Sequence, residues 1–291
     1  MMRGFVSVMM VGVALGAFAA DDPVVVTLTT KEAPDTATLF RGQATVGNSR
    51  ANWSLGLDNK RAHGNEGRHL KFSVANGKTF GYSALINPVK LTVNGIPWNK
   101  LQVKPKNLRK WADGVREGVE FMLNFDGAPV RVRASMTPGS PWLDFEVKPS
   151  AKGLTPVTNI LVGVSSIPSF LDCGHGKPTR FDRYRRSVRT ASRYLKPQKT
   201  GRIPLQADDR YYVMMDEDYD GSSEDKGMGP CAVRSEGPVA GDVDLNDGWV
   251  TSVWFKPDPT KPFRFSMIEY PDRRFSNAEF EKKVSAGYGN L

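Results

Sequence analysis

The chain has 291 residues, 40% of them hydrophobic, two cysteines and a formal net charge of +9. Length and composition exclude a disordered or fibrous protein, and a core of this size needs no disulfide staples. The basic balance suits acidic partners such as uronate or sulfated glycans, anionic cell-wall polymers or nucleic acid.

Residues 1–19 carry one charge, Arg3, then an apolar run from Phe5 to Leu15 and a small-residue exit at Ala17-Phe18-Ala19. This pattern predicts a cleaved secretory signal peptide, too short to span a bilayer. Residues 20–291 then form a single domain, secreted or periplasmic, with no membrane span. In an oxidising compartment Cys173 and Cys231 are expected to pair as a disulfide, both read as loop residues. Neither a CxxC nor a Cys/His cluster offers a metal site built on thiolates.

Strand signals follow in order. Val24 to Thr29 is a β-branched run. His69 to Val74 alternates, with Leu70, Phe72 and Val74 on one face, and a loop at Asn76-Gly77 leads into Phe80 to Ile86. Val89 to Val93, Asn94-Gly95 and Ile96 form the strongest hairpin signal, because Asn and Gly accept the positive φ of a tight turn. Residues 119–147 read as a three-stranded meander. A turn at Asp126-Gly127 pairs Phe125 with Ala128, Leu123 with Val130 and Phe121 with Val132, and sets Met122 opposite Arg131 and Glu120 opposite Arg133. Apolar then meets apolar on one face and polar meets polar on the other. In the third strand Leu143, Phe145 and Val147 face the core, and Trp142, Asp144 and Glu146 face outward. Asp144 and Glu146 beside Trp142 have the composition of a glycosidase subsite. A cross-strand salt ladder with Arg131, Arg133 and Glu120 explains them more simply.

Further strands are predicted at Val157 to Val164, Tyr211 to Met215, Val250 to Phe255 and Phe263 to Ile268. Ser276 and Glu279 make a capping box, with Phe275 and Phe280 placed as a hydrophobic staple, for a helix over Asn277 to Ser285 that ends before Gly287. The fold class is all-β, a large antiparallel sandwich with a short C-terminal helix. Its rhythm is similar to that of glycan-processing sandwiches of the galactose-mutarotase-like or jelly-roll kind, with no motif of that superfamily matched residue by residue.

Four segments carry candidate chemistry. The loop from Asp58 to His69 holds His63, Glu66 and His69, broken by glycines and without helical zinc-motif spacing. Leu171 to Lys177 places His175 between glycines. The sharpest is an Arg-rich stretch with Arg180, Arg183, Arg185, Arg186, Arg189 and Arg193, interleaved with Tyr184 and Tyr194 and followed by Lys196 and Lys199. Guanidinium groups bind carboxylate and sulfate in a bidentate manner, and tyrosines stack on sugar rings. Tyr184, Val188, Ala191 and Leu195 stand at helical spacing, and extended structure fits as well. In a uronate lyase, His175 or Tyr184 would take the proton α to a carboxylate that Arg183 neutralises. The fourth segment, Asp216 to Gly221, resembles DxDxDG calcium loops outside EF-hand proteins. That resemblance implies Ca2+ on Asp216, Asp218, Asp220 and Glu224, although Gly227 stands where an EF-hand has its bidentate Glu. Trp98 and Trp111 suit either sugar stacking or core-edge packing, and Asn52 begins a glycosylation sequon.

The functional expectation is a glycan-interacting protein that binds an acidic polysaccharide. Both an enzyme, lyase or hydrolase, and a non-catalytic envelope protein fit. No nucleic-acid recognition motif accompanies the basic stretch, and the oligomeric state is open.

Overall fold

Alternation along the strands places apolar side chains on one face, and hydrogen bonding between antiparallel neighbours stacks those faces into sheets. The computed structural model describes residues 22–32, 40–58, 71–76, 89–98, 101, 108–167, 186–199, 201–217, 229–246, 250–269 and 276–287. One sheet has four strands in the order β1 (Val25–Glu32), β2 (Phe40–Gly47), β3 (Asn52–Asp58) and β4 (Lys71–Asn76). The next strands in the chain are β5 (Val89–Val93), β6 (Ile96–Pro97), β7 (Arg109–Ala112), β8 (Glu117–Phe125), β9 (Ala128–Met136), β10 (Leu143–Pro149) and β11 (Ile160–Ser166). After them come β12 (Arg186–Arg189), β13 (Tyr194–Leu195), β14 (Ile203–Pro204), β15 (Tyr211–Asp216), β16 (Cys231–Ser235), β17 (Ala240–Asp244), β18 (Thr251–Lys256) and β19 (Phe263–Glu269). They build a nine-stranded sheet, β13-β12-β15-β16-β19-β10-β9-β8-β7, and a six-stranded sheet, β14-β17-β18-β11-β5-β6.

One hydrophobic core draws buried side chains from all three sheets. Tyr212 and Phe265 of the nine-stranded sheet meet Phe255 of the six-stranded sheet at ring-centroid distances of 5.8 and 6.4 Å. Each such buried aromatic contributes about 1.5–3 kcal/mol by leaving water. The four-stranded sheet joins the same core through Ala44, Val46, Trp53 and Leu55. The Asn48 amide also donates to the Ser140 carbonyl at 2.8 Å.

The meander has the predicted register, from Phe125↔Ala128 to Glu120↔Arg133. Its turn residues Asp126 and Gly127 have φ of 53° and 85°, and Asn94 and Gly95 in the β5–β6 hairpin have φ of 50° and 81°. Such left-handed pairs match the twist of the flanking strands. The capping box forms at Ser276 and Glu279, and helix α1 runs Asn277–Ser285. Phe280 and Val284 of α1 pack with Trp142, Val213, Met215, Ala232 and Ile268 in a second apolar cluster, on the outer face of the nine-stranded sheet. Among the described residues no helix is long and apolar enough to cross a membrane.

Trp142 faces outward as expected, and α1 buries it there in the second cluster. Two expectations change. The described part of the Arg-rich stretch is extended, with β12 pairing β13 and β15, so no helix spans Arg186 to Leu195. Ladder pairing to β15 outweighs the helical spacing of Val188, Ala191 and Leu195. Cys231 heads a buried strand instead of lying in a loop, and its thiol is free. Burial pushes that thiol up to about 12, which makes it unreactive. No disulfide occurs among the described residues, and Cys173 lies outside them.

Candidate functional site

The outer face of the nine-stranded sheet carries three parallel rows of side chains, set by register. The first row is Arg189, Val213, Ala232 and the neighbouring Ile268, the apolar part of which α1 covers.

The second row is ionic. Arg264 of β19 stands opposite Glu146 of β10, Glu146 opposite Arg133 of β9, Arg133 opposite Glu120 of β8, and Glu120 opposite Arg109 of β7. Every link is an ion pair, at 2.8, 3.3, 2.6 and 2.5 Å in that order. Arg131 joins the ladder by pairing with Glu146 at 2.9 Å. Glu120 and Glu146 are buried beneath these guanidinium groups. Burial pushes the Glu120 carboxyl up, but hydrogen bonds from Arg109 and Arg133 outweigh it and hold the pKa below the usual glutamate range. Glu146 is lowered in the same way, against burial, by hydrogen bonds from Arg264 and Arg131. The predicted salt ladder is therefore present, and it claims Glu146.

The third row lies between those two. It runs Tyr211 of β15, Arg234 of β16, Ser266 of β19, Asp144 of β10, Ser135 of β9, Gly118 of β8 and Trp111 of β7. Here opposite charges do not stand face to face, because Ser266 separates Arg234 from Asp144. The Ser266 hydroxyl donates to Asp144 at 2.6 Å. Among the described residues neither Asp144 nor Arg234 makes an ion pair within 4.0 Å. Arg234 instead lies over the Trp142 ring, 4.2 Å from its centroid, a cation–π contact.

A pocket of about 370 Å³ opens over this row, lined by Arg116, Asp144, Arg234, Glu236, Arg264 and Ser266 among others. Arg116 arrives from the turn before β8, paired with Asp113 at 2.8 Å. Arg264 also pairs with Glu236 at 3.3 Å. Burial raises the Asp144 pKa above its ordinary value, and the Ser266 hydrogen bond and the Arg234 charge offset it only partly. Burial also lowers the Arg234 pKa, against the pull of Asp144. At the far end of the row Arg133 and Arg116 lie over Trp111, at 4.3 and 5.5 Å from its centroid.

The residues singled out from the sequence fall elsewhere. Arg189 and Tyr194 line a groove of about 290 Å³ beside Ser276, Asn277 and Glu281 at the start of α1. Arg189 pairs with Glu281 at 3.3 Å and stacks on Tyr194 at 4.6 Å. Lys196 pairs with Glu217. Two arginines differ from the expected ligand-binding role. Arg186 is fully buried, with the same strand parity as the core residue Val188, and stands opposite the buried Asp216. Arg193 is tied to the buried Asp209 and donates to the Pro204 carbonyl at 3.1 Å. Trp98 packs in the core. His175, Arg180, Arg183, Tyr184 and Arg185 lie outside the described residues, as do Asp218, Asp220, Glu224, Phe275 and residues 59–70.

Sequence reasoning missed Arg116, Arg234 and Arg264. The signal was present in Ala232-Val233-Arg234-Ser235 and Phe263-Arg264-Phe265-Ser266, where alternation puts each arginine on the face opposite the core.

No protein-family model and no curated protein match the sequence. Among solved structures, an α-N-acetylgalactosaminidase from Bifidobacterium bifidum is similar over 90% of this chain and 39% of its own, at 10% identity and a TM-score of 0.44. A chondroitinase AC lyase is similar over 83% of this chain and 37% of its own, at 9% identity and a TM-score of 0.45. An α-mannosidase from Enterococcus faecalis is similar over 91% and 38%, at 9% identity and a TM-score of 0.44. The chain thus spans under two-fifths of the length of these three proteins. The all-β assignment rests on the strands of the chain itself.

Proposed function

We propose that this protein binds an acidic glycan outside the cytoplasm, through the third row on the outer face of its nine-stranded sheet. The observation that carries the reading is Arg234. It is a partly buried guanidinium with no acidic partner within ion-pair distance among the described residues, set in a pocket that Arg116 and Arg264 also line. Planar guanidinium forks match carboxylate and sulfate geometry, and a pocket lined by charged and hydroxyl side chains suits a polar ligand. Trp111, half-buried at the far end of the row with Arg133 over its ring, offers apolar surface to sugar rings. Export follows from the signal-peptide pattern of residues 1–19, and N-terminal sequencing of protein from a secreting host tests it. Calcium stays a separate proposal at Asp216, Asp218, Asp220 and Glu224, of which Asp216 is buried opposite Arg186. A calcium-dependent rise in Tm that Asp218→Ala abolishes is its test.

The binding test is a calorimetric screen of neutral, uronate and sulfated oligosaccharides against the wild type and Arg234→Ala. Acidic ligands are expected to bind the wild type with a steep salt dependence, and to bind Arg234→Ala weakly. Equal affinity for neutral and acidic ligands, or an unaffected variant, overturns the reading.

A further inference from the structure

Asp144 occupies an awkward place in this pocket. An anionic group drawn in by Arg234 arrives beside a carboxyl that, among the described residues, no cation neutralises within ion-pair distance. The groups facing Asp144 come from each neighbouring element: Arg234 and Glu236 from β16 and its following turn, Ser266 from β19, and Arg116 from the turn before β8. Among the described residues the side-chain hydrogen bond to it comes from Ser266, as a donor. Glu146, two positions along the same strand, is enclosed by Arg131, Arg133 and Arg264 and stays ionised.

Resting on the acidic-glycan reading, we infer that Asp144 is the specificity-determining residue of this pocket. It takes up one proton from solvent as a uronate carboxylate enters, and donates that proton to the ligand in a hydrogen bond. The balance is simple: one ligand anion and one proton enter together, no covalent bond changes, and the pocket's net charge is unaltered. Two carboxylates in one small site cannot both ionise cheaply, so one of them holds a proton. The raised pKa of Asp144 points the same way, because burial has already weakened its charged form. A carboxylic acid also donates better to a carboxylate than to a sulfate oxygen, which is the weaker base. The pocket should therefore prefer uronate to sulfate, most clearly at low pH.

The experiment is titration calorimetry of the full protein with an oligogalacturonate and with a sulfated oligosaccharide lacking carboxylates. It runs from about pH 5 to about pH 8, above the titration range of the ligand's own carboxylates, in buffers of different ionisation enthalpy. Wild-type affinity for the oligogalacturonate should fall as pH rises, by up to about tenfold per pH unit, the limit for one linked proton. The buffer series should show uptake of up to one proton. Asp144→Asn keeps a donor without a proton to titrate, so its affinity should be flat with pH and its proton uptake lost. Ser266→Ala removes the hydrogen bond that favours the ionised form, so it should move the fall in affinity to higher pH. That second variant keeps the test valid where Asp144→Asn folds poorly. Oligogalacturonate binding without proton uptake, or with the same pH slope in Asp144→Asn, overturns the role of Asp144 and leaves the glycan reading standing. Absence of binding to any acidic oligosaccharide at every pH overturns both.

Discussion

The second and third rows lie on one face of one sheet and share the same strands, yet they have opposite characters. In the ladder from Arg264 to Arg109, each strand supplies the charge opposite to its neighbour's. In the row from Tyr211 to Trp111, Ser266, Ser135 and Gly118 interrupt the charges. The closed ladder spends its guanidinium groups on its own carboxylates and lowers their pKa values. The open row leaves Arg234 and Asp144 without an ion pair among the described residues, at a pocket, with Asp144 raised and Arg234 lowered. Adjacent positions on a strand face therefore divide into structure and site according to what stands across the ladder, not according to residue type.

The largest effect is expected within the ladder. Glu120→Ala removes a buried carboxylate that pairs with the largely exposed Arg109 and with Arg133, which keeps Glu146. The loss should lie between the roughly 1 kcal/mol of a solvated pair and the roughly 3 kcal/mol of a fully buried one, so the denaturant midpoint should fall. A loss under about 1 kcal/mol, the value of a solvated pair, would show that the ladder is only surface decoration. The same ladder fixes a pH dependence. Folded-state pKa values of Glu120 and Glu146 lie below their unfolded values. Their stabilisation is present above about pH 4.3, the unfolded glutamate value, and is lost as pH falls through the folded values. Acid titration of Tm should show this loss in the wild type and less of it in Glu120→Ala.

Next in size is Arg234→Ala. Truncating a central interface arginine costs about 2 kcal/mol of binding, so affinity for an acidic oligosaccharide should drop on the order of 30-fold. Stability should change far less than in Glu120→Ala, since no ion pair is broken. Unfolding of Arg234→Ala would assign the open row to structure as well.

Asp144→Asn should act with the opposite sign. A folded pKa above the unfolded one means that stability falls as pH rises from the unfolded value through the folded one, and stays reduced above it. The amide carries no such cost, so Asp144→Asn should be more stable near neutrality, by about 1 kcal/mol or less, in the range common for relieving a functional-site cost. Thermal unfolding at neutral and acid pH checks this. A variant less stable than the wild type near neutrality would place Asp144 with the structural carboxylates. The smallest effect belongs to Arg189→Ser, which removes a partly exposed pair with Glu281. It should change stability by under about 1 kcal/mol and leave binding at Arg234 untouched.

Much of the framework was legible in the residues. Strict alternation fixed the β8–β9 register down to Glu120 opposite Arg133, and the Asn94-Gly95 and Asp126-Gly127 pairs marked their turns by tolerating positive φ. Ser276 and Glu279 placed α1 to the residue, because a capping box is a local device. The Arg-rich stretch shows where local reading fails. Its arginines look alike in sequence, but of those described Arg186 takes core parity, Arg193 serves Asp209 and Arg189 meets solvent beside Tyr194.

Strand period, turn chemistry, helix cap and strand parity depend on near neighbours and can be read from the residues alone. Parity already put Asp144, Glu146, Arg234 and Arg264 on faces away from their strands' apolar side chains. Only the tertiary structure decided that β19 lies between β10 and β16, residues distant in the chain. That one insertion sets Arg264 against Glu146 and Ser266 between Asp144 and Arg234. Ion pairing acts over a few ångströms, so strand order, which local sequence does not encode, closes one row and leaves the other open.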